Sequence, residues 1–383
     1  MVTAIVTILM FLVMVSLHEF GHYIVGRLLK FHILEYSIGF GPKLWQSKNS
    51  EIKYSFRMIP VGGFCRFDGE EGESEHPGAF YKQAVWKRML VVVAGGLANI
   101  LLGFILFLII VPMISPVSTN VVSEVVEHSY IEDAGIMPGD EIIDINGHKI
   151  DFYNDIALYT QDFTKDTEAE ITVKRNGEKL KFNIKPTEDI IVESYTENGI
   201  DVAESINGHD KVIHYDYSEN IPRNDELIGK TNTITKYLIG FRPRQQEVTF
   251  GNVWGIAWDE TKFVVKLVYS SLWQMITGKV GMDQMSGPVG IVREVNDEVN
   301  SGPYAALNVL NLVALLTINL GIFNLLPIPA LDGGRFFFMI IELIRRKPIP
   351  PEKEGMVHAI GMLLLFALII FVSFNDIMRL IGK

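Results

Sequence analysis

Val2-Thr3-Ala4-Ile5-Val6-Thr7-Ile8-Leu9-Met10-Phe11-Leu12-Val13-Met14-Val15-Ser16-Leu17 runs unbroken into His18-Glu19-Phe20-Gly21-His22 and on to about Leu29. A membrane span needs about 20 mostly apolar residues, so the run reads as a transmembrane helix. No basic segment precedes it and no small-residue cleavage motif follows, so it is expected to be a retained helix rather than a signal peptide. Residues i and i+4 share a helix face, so His18 and His22 can reach one zinc ion. Glu19, next to the first histidine, can take the proton of a hydrolytic water. A five-residue pattern with two free positions recurs by chance, and a lone histidine on an apolar face is more often structural. The setting weighs the other way. An ionisable group at mid-bilayer costs about 2.5–3.5 kcal/mol, and three on adjacent turns call for a compensating charge, naturally a divalent metal.

Three more stretches are apolar enough to span: residues 89–114, 305–339 and the shorter 359–374. Lys30, Lys43, Lys48, Lys53, Arg57, Arg66, Lys82, Lys87 and Arg88 lie in the first connection, and Arg345, Arg346, Lys347 and Lys353 in the last. The positive-inside rule puts both on the cytoplasmic side. Both termini and the charged block 115–302 then fall outside the cytoplasm. The 383 residues are 48% hydrophobic with a net charge of -11. That combination argues against a nucleic-acid binder, which needs a basic face, and against disorder. Cys65 is the one cysteine, which excludes intrachain disulfides, Cys-rich zinc modules and iron–sulfur sites.

Between the spans, Ile52, Tyr54, Phe56 and Met58 alternate with Glu51, Lys53, Ser55 and Arg57, the period of a half-buried strand. Pro60 with Gly62-Gly63 is expected to end it in a turn, and Gly39-Phe40-Gly41-Pro42 is another turn signal. A β-ribbon on the inner membrane face follows; an ordinary amphipathic hairpin is the alternative. Residues 68–76 read as a solvated acidic loop, with His76 an exposed bystander. Further on, Ala134-Gly135-Ile136-Met137-Pro138-Gly139-Asp140-Glu141-Ile142 matches the A-G-x-x-x-G-D-x-I run of PDZ domains, which the chain resembles up to about residue 186. Such domains bind extended peptides at a sheet edge. Residues 187–236 are polar and turn-rich, without a motif, and 237–241 read as one more strand. Residues 252–276 have helical periodicity, suiting a helix lying in the membrane interface or a core helix of the outer domain.

A catalytic zinc takes three protein ligands and one open position. Glu35 is a weak third candidate. Asp332 is a better one: it follows Asn324-Leu325-Leu326-Pro327-Ile328-Pro329-Ala330-Leu331 and precedes Gly333-Gly334. The prolines block regular helix, and broken backbone at membrane depth is tolerated where it is buried in protein or lines a wet cavity. The plainer reading is a kink whose aspartate caps the next helix.

HExxH on the first span with NxxPxPxLDG on a later one resembles the site-2 proteases, the intramembrane zinc metalloproteases, and among them the single-PDZ, regulator-of-sigma-E protease-like bacterial branch. The resemblance extends to residues 59–63, 95–99 and 286–291 and covers most of the chain. Gly96, where many members carry proline, and the insertion after the PDZ-like part depart from the pattern. It implies a polytopic α-helical membrane protein with about four transmembrane helices, a membrane-associated β-ribbon and an extracytoplasmic PDZ-like α+β domain. The expected divisions are a first helix (1–30), a cytoplasmic-side loop with the ribbon (31–88), a second helix (89–114), the PDZ-like domain (115–249, insertion at about 187–236), an interfacial helix and connector (250–303), a third segment with the LDG motif (304–344), and a loop with the fourth helix (345–383). It also implies Zn2+ held by His18, His22 and Asp332, with Glu19 as general base. Asn324, Gly62, Gly63 and, more weakly, Asn99 would contact substrate; Asn99 also suits a simple helix-joining role. The substrates implied are single-span membrane proteins, such as anti-sigma factors or remnant signal peptides. A metal carrier or a PDZ-bearing scaffold is the alternative. The PDZ-like part would bind a new C-terminus or obstruct bulky substrates.

Overall fold

Helix α1 (Val2–Leu28) carries the HExxH residues. It is followed by an antiparallel ribbon, β1 (Ile33–Gln46) with β2 (Lys53–Phe67), and by α2 (Val85–Met113). The computed structural model describes residues 2–48, 50–70, 74–218, 223, 227–279, 281, 286–347 and 349–381. Two units separate by their contacts, Met1–Met113 with Phe250–Lys383, and Ile114–Thr249. In the first, α1 approaches α2 through small residues: a Cβ on Gly21 would lie 2.4 Å from the Ala94 carbonyl oxygen. Glycine there lets the two backbones touch.

The ribbon departs from two expectations. Pro60 and Gly62-Gly63 do not end a strand; they lie inside β2, as Gly39 and Gly41 lie inside β1. Gly39, Gly41 and Gly62 adopt φ of 83°, 83° and 85°, and the pairing register shifts along the ribbon. Glycine at positive φ serves a bulge as readily as a turn. The buried face also differs from the alternating pattern, because Ser55 is buried while Phe56 and Met58 are 51% and 57% exposed. Buried Glu35 accepts hydrogen bonds from Ser55 Oγ at 2.6 Å and Arg57 Nη2 at 2.9 Å. This draws the polar side inward and leaves Phe40, Leu44, Trp45, Phe56, Met58 and Ile59 on the surface. Part of the 68–76 loop, residues 71–73, lies outside the described residues. His76 is exposed as expected, but it stacks on His32 at 3.9 Å, and His32 Nδ1 pairs with Asp68 at 2.8 Å.

The second unit contains β3 (Val117–Val125), α3 (Tyr130–Ala134), β4 (Glu141–Ile145), β5 (His148–Lys149), α4 (Tyr153–Thr160), β6 (Ala169–Arg175), β7 (Glu178–Ile184), β8 (Thr187–Tyr195), β9 (Gly199–Ile206), β10 (His209–Asp216), β11 (Thr231–Leu238) and β12 (Phe241–Gln246). One sheet runs β12-β3-β4-β6-β7 with β5 on β4; the other runs β10-β9-β8-β11. Val122, Ile142, Ile145, Ile171 and Val173 of the first sheet and Ile131 of α3 are fully buried in one core. Asp140, at the end of the Pro-Gly-Asp turn, receives both Arg175 Nε and Nη2 at 2.7 Å and the Met137 amide at 2.9 Å. Residues 187–236 thus hold an antiparallel sheet where the sequence suggested only turns, apart from 219–222 and 224–226, which are outside the described residues. Most of β8 and β9 is half-buried on both faces, so no period-two signal marks them. The single strand expected at 237–241 is two: β11 ends at Leu238, Gly240 turns with φ 96°, and β12 begins at Phe241.

Returning to the first unit, α5 (Val253–Ile276) buries Val253, Ala257, Thr261, Val264 and Val268 and sets Trp254 and Trp258 beside Phe104 of α2. It is therefore not a core helix of the β-rich unit. Then come α6 (Pro288–Val299), α7 (Ala305–Leu325), α8 (Asp332–Arg345) and α9 (Pro351–Ile381). Asp376 Oδ2 on α9 accepts the Gly287 and Gly290 amides at 2.9 and 2.8 Å, fixing the start of α6. The break expected at Pro327 and Pro329 falls between α7 and α8. Gly333 and Gly334 lie within α8, where they serve close approach: a Cβ on Gly333 would be 2.1 Å from the Leu326 carbonyl. Among the described residues, four helices are long and apolar enough to cross a membrane, spanning Val2–Leu28, Val85–Met113, Gly302–Leu325 and Glu352–Arg379. Their exposed side chains, such as Leu363, Leu364 and Ile370, suit lipid, so the chain is a polytopic membrane protein with a β-rich unit.

Two outcomes follow from this packing. A Cβ on Gly321 of α7 would lie 2.6 Å from the Gly96 carbonyl, so Gly321→Ala should cost about 1–3 kcal/mol, read as a lower unfolding temperature in detergent; an unchanged temperature contradicts the α2–α7 contact. Burial alone would raise Asp140, but its bonds from Arg175 and Met137 outweigh this and hold its carboxyl below the usual range. A depressed folded-state pKa gives stability that is full above the ordinary aspartate value, about 3.9, and lost as pH falls through the lowered one. Asp140→Asn should therefore lower the unfolding temperature of the β-rich unit at pH 7 and weaken its dependence on pH below about 4; a profile identical to that of the wild type would contradict the pair.

Candidate metal centre

Helical spacing alone would bring His18 and His22 side by side; α2 and α8 complete their surroundings. The two rings meet edge to face with centroids 4.8 Å apart, and their Nε2 atoms are 3.2 Å apart. Asp332, in the first turn of α8, directs Oδ2 to 3.1 Å from His18 Nε2 and 3.2 Å from His22 Nε2. His22 Nδ1 donates to the Val91 carbonyl at 2.8 Å. This bond fixes the ring and leaves the Nε2 lone pair toward its two neighbours. Gly95 of α2 forms the floor, since a Cβ there would lie 2.4 Å from His22 Nε2 and 2.7 Å from His18 Cε1.

These residues fit zinc on their own geometry. Tetrahedral zinc with ligand bonds of about 2.0–2.2 Å separates its donor atoms by about 3.3 Å, close to all three distances here. Asp332 Oδ2 is sealed from solvent and faces two ring nitrogens, of which His22 Nε2 bears a lone pair because Nδ1 donates to Val91, so the enclosed cluster calls for a cation at its centre. The donor set, two imidazoles and one carboxylate, is one that zinc accepts with a fourth position open.

The remaining candidates are distributed as follows. Glu35 is bound within the ribbon by Ser55 and Arg57 and is not part of the histidine cluster. Glu19 Oε2 accepts the Cys65 amide at 3.0 Å, and a Cβ on Gly63 would come 3.5 Å from Glu19 Cγ. The ribbon therefore reaches the HExxH glutamate directly. Gly62 and Gly63 are both buried in that strand. Asn324 is half-buried near the end of α7. Asn99 is fully enclosed on α2, its side-chain amide without a partner among the described residues, while its carbonyl accepts Thr317 Oγ1 at 3.4 Å. Sequence reading missed the Val91 carbonyl and the Cys65 amide. Both are backbone atoms, so no residue type advertises them. The Gly95-Gly96 pair was visible as small residues on a span, though not as the floor of the site.

A family model described as peptidase family M50 matches residues 6–368. A protein of Clostridium acetobutylicum is 30% identical over 376 residues, covering 97% of this chain and 96% of its own. The zinc metalloprotease RasP of Bacillus licheniformis is 27% identical, with 99% of each chain covered. The regulator of sigma-W protease RasP of Bacillus subtilis is likewise 27% identical over 99% of each. Match and site geometry agree: the chain belongs to peptidase family M50, the site-2 proteases, which are intramembrane zinc metalloproteases.

Proposed function

We propose that this chain hydrolyses peptide bonds within or near the transmembrane segments of single-span membrane proteins. The observation that carries the reading is the convergence of His18 Nε2, His22 Nε2 and Asp332 Oδ2 within 3.2 Å beside a glutamate held by a ribbon amide. Bound there, zinc would supply Lewis acidity, bringing the pKa of a coordinated water toward about 7. Glu19 is the general base: Cys65 occupies its Oε2, which leaves Oε1 to take the water's proton and return it to the leaving amine. A metal carrier has no need of a base fixed in this way.

A peptide bond in a transmembrane helix is shielded by the helix's own hydrogen bonds, so cleavage requires local unwinding. β1 and β2 pair with each other, and their outer edges can take an unwound substrate as a further strand. Gly62 and Gly63 would line that strand near Glu19, with Asn324 contacting the substrate backbone and Asn99 the alternative contact. The basic residues of the connections favour cytoplasmic placement of the ribbon and of the α8–α9 loop. Both termini and the β-rich unit are then extracytoplasmic. With the N-terminus outside, His18 lies roughly 25 Å along α1 at 1.5 Å per residue, near the cytoplasmic surface. The A-G-x-x-x-G-D-x-I run supports a PDZ-like character for the β-rich unit, which would select substrates by a new C-terminus or by size. Anti-sigma factors are one substrate class consistent with the relative named as a regulator of sigma-W protease.

Two measurements test this reading. Glu19→Gln should keep one zinc per chain while cleavage of a single-span reporter in detergent falls about 10²–10⁴-fold; full activity in that variant contradicts hydrolysis by this site. His22→Ala and Asp332→Asn should each lose bound zinc on metal analysis; stoichiometric zinc in either contradicts the ligand set.

A further inference from the structure

The turn that brings Asp332 to the histidines has a support outside the motif, on α9. Ala330 holds φ of 83°, a left-handed backbone that residues with a Cβ rarely adopt. Pro327 and Pro329 have no amide hydrogen to give, and the Ile328 and Leu331 amides bond within the turn. The Ala330 amide instead leaves the turn and donates to His358 Nδ1 at 2.9 Å. Three residues on, and so on the same helix face, Gly361 abuts the preceding residue. A Cβ there would lie 2.5 Å from Pro329 Cβ and 2.6 Å from its carbonyl oxygen. Because an amide donates to Nδ1, that nitrogen carries a lone pair and the neutral ring holds its proton on Nε2. The His358 ring also packs beside Phe338 of α8, centroids 5.8 Å apart.

We propose that His358 and Gly361 clamp the Pro329-Ala330 backbone and thereby set the position of Asp332, making His358 a positioning residue for the third zinc ligand, acting through Ala330. The inference rests on the proposed zinc site. Residues that orient a ligand without touching the metal commonly change metal affinity by about 10–100-fold when lost. Two residues of chain separate the clamped amide from the ligand, so displacement of the clamp is passed to Asp332 with little slack.

The test uses the purified full-length chain in detergent, with zinc affinity measured by chelator competition and unfolding temperature measured on metal-free protein. His358→Leu should weaken zinc by about 10–100-fold. His358→Asn, whose Oδ1 can accept the Ala330 amide, should restore most of that affinity. Gly361→Ala should weaken zinc without removing any polar atom. When metal-free, His358→Asn should unfold at the wild-type temperature, whereas His358→Leu, which leaves the Ala330 amide unpaired, and Gly361→Ala, which crowds Pro329, should unfold lower. Wild-type zinc affinity in His358→Leu, or in Gly361→Ala should the first variant not fold, overturns the clamp, as does His358→Asn binding no better than His358→Leu. Wild-type protein that holds no zinc, or zinc that survives His22→Ala, overturns the metal site itself instead.

Discussion

Two imidazole nitrogens and a carboxylate oxygen converge within 3.2 Å of one another among membrane-spanning helices. Such a cluster calls for positive charge at its centre, because Asp332 Oδ2 is enclosed against the two rings and facing lone pairs repel. Much of the membrane unit serves this convergence. Glycines at 21 and 95 let α1 press on α2 at the level of the histidines. The Val91 carbonyl turns His22, and the break between α7 and α8 delivers Asp332 from a distant part of the chain.

The ribbon contributes in a second way. Its polar interior, with Glu35 bonded to Ser55 and Arg57, inverts the arrangement of a ribbon in water. Phe40, Phe56, Met58 and Ile59 face outward while Ile33 and Phe67 are buried, and the Cys65 amide reaches Glu19. In the proposed function, a substrate strand added to this ribbon would enter beside Glu19. Unwinding and proton transfer would then be coupled through one element.

Parts of this were legible in the sequence because they rest on side chains at fixed spacing. HExxH puts both imidazoles on one face by helical geometry, and Asp332 stood out as a lone acid on a backbone that Pro327 and Pro329 prevent from being helical. Asp140 was legible as the acid of the A-G-x-x-x-G-D-x-I run, though its pairing with Arg175, 35 positions away, was not. Other parts were unreadable for definable reasons. Gly39, Gly41 and Gly62 supply positive φ to bulges with the same residue type that marks turns, so the strands looked shorter than they are. In the sheet at 187–238, β8 and β9 are half-buried along most of their length and β10 and β11 are largely exposed, so it lacks the alternation by which strands announce themselves. His358 sits in an apolar helix far from the motif, and its partner is a backbone amide that sequence does not display.

The most direct measurement of the central claim is anomalous diffraction at the zinc edge from crystals of the zinc-loaded protein. The account predicts a single strong peak within about 2.0–2.2 Å of His18 Nε2, His22 Nε2 and an Asp332 carboxylate oxygen. A peak elsewhere, or one touching the histidines with Asp332 turned away, would contradict it.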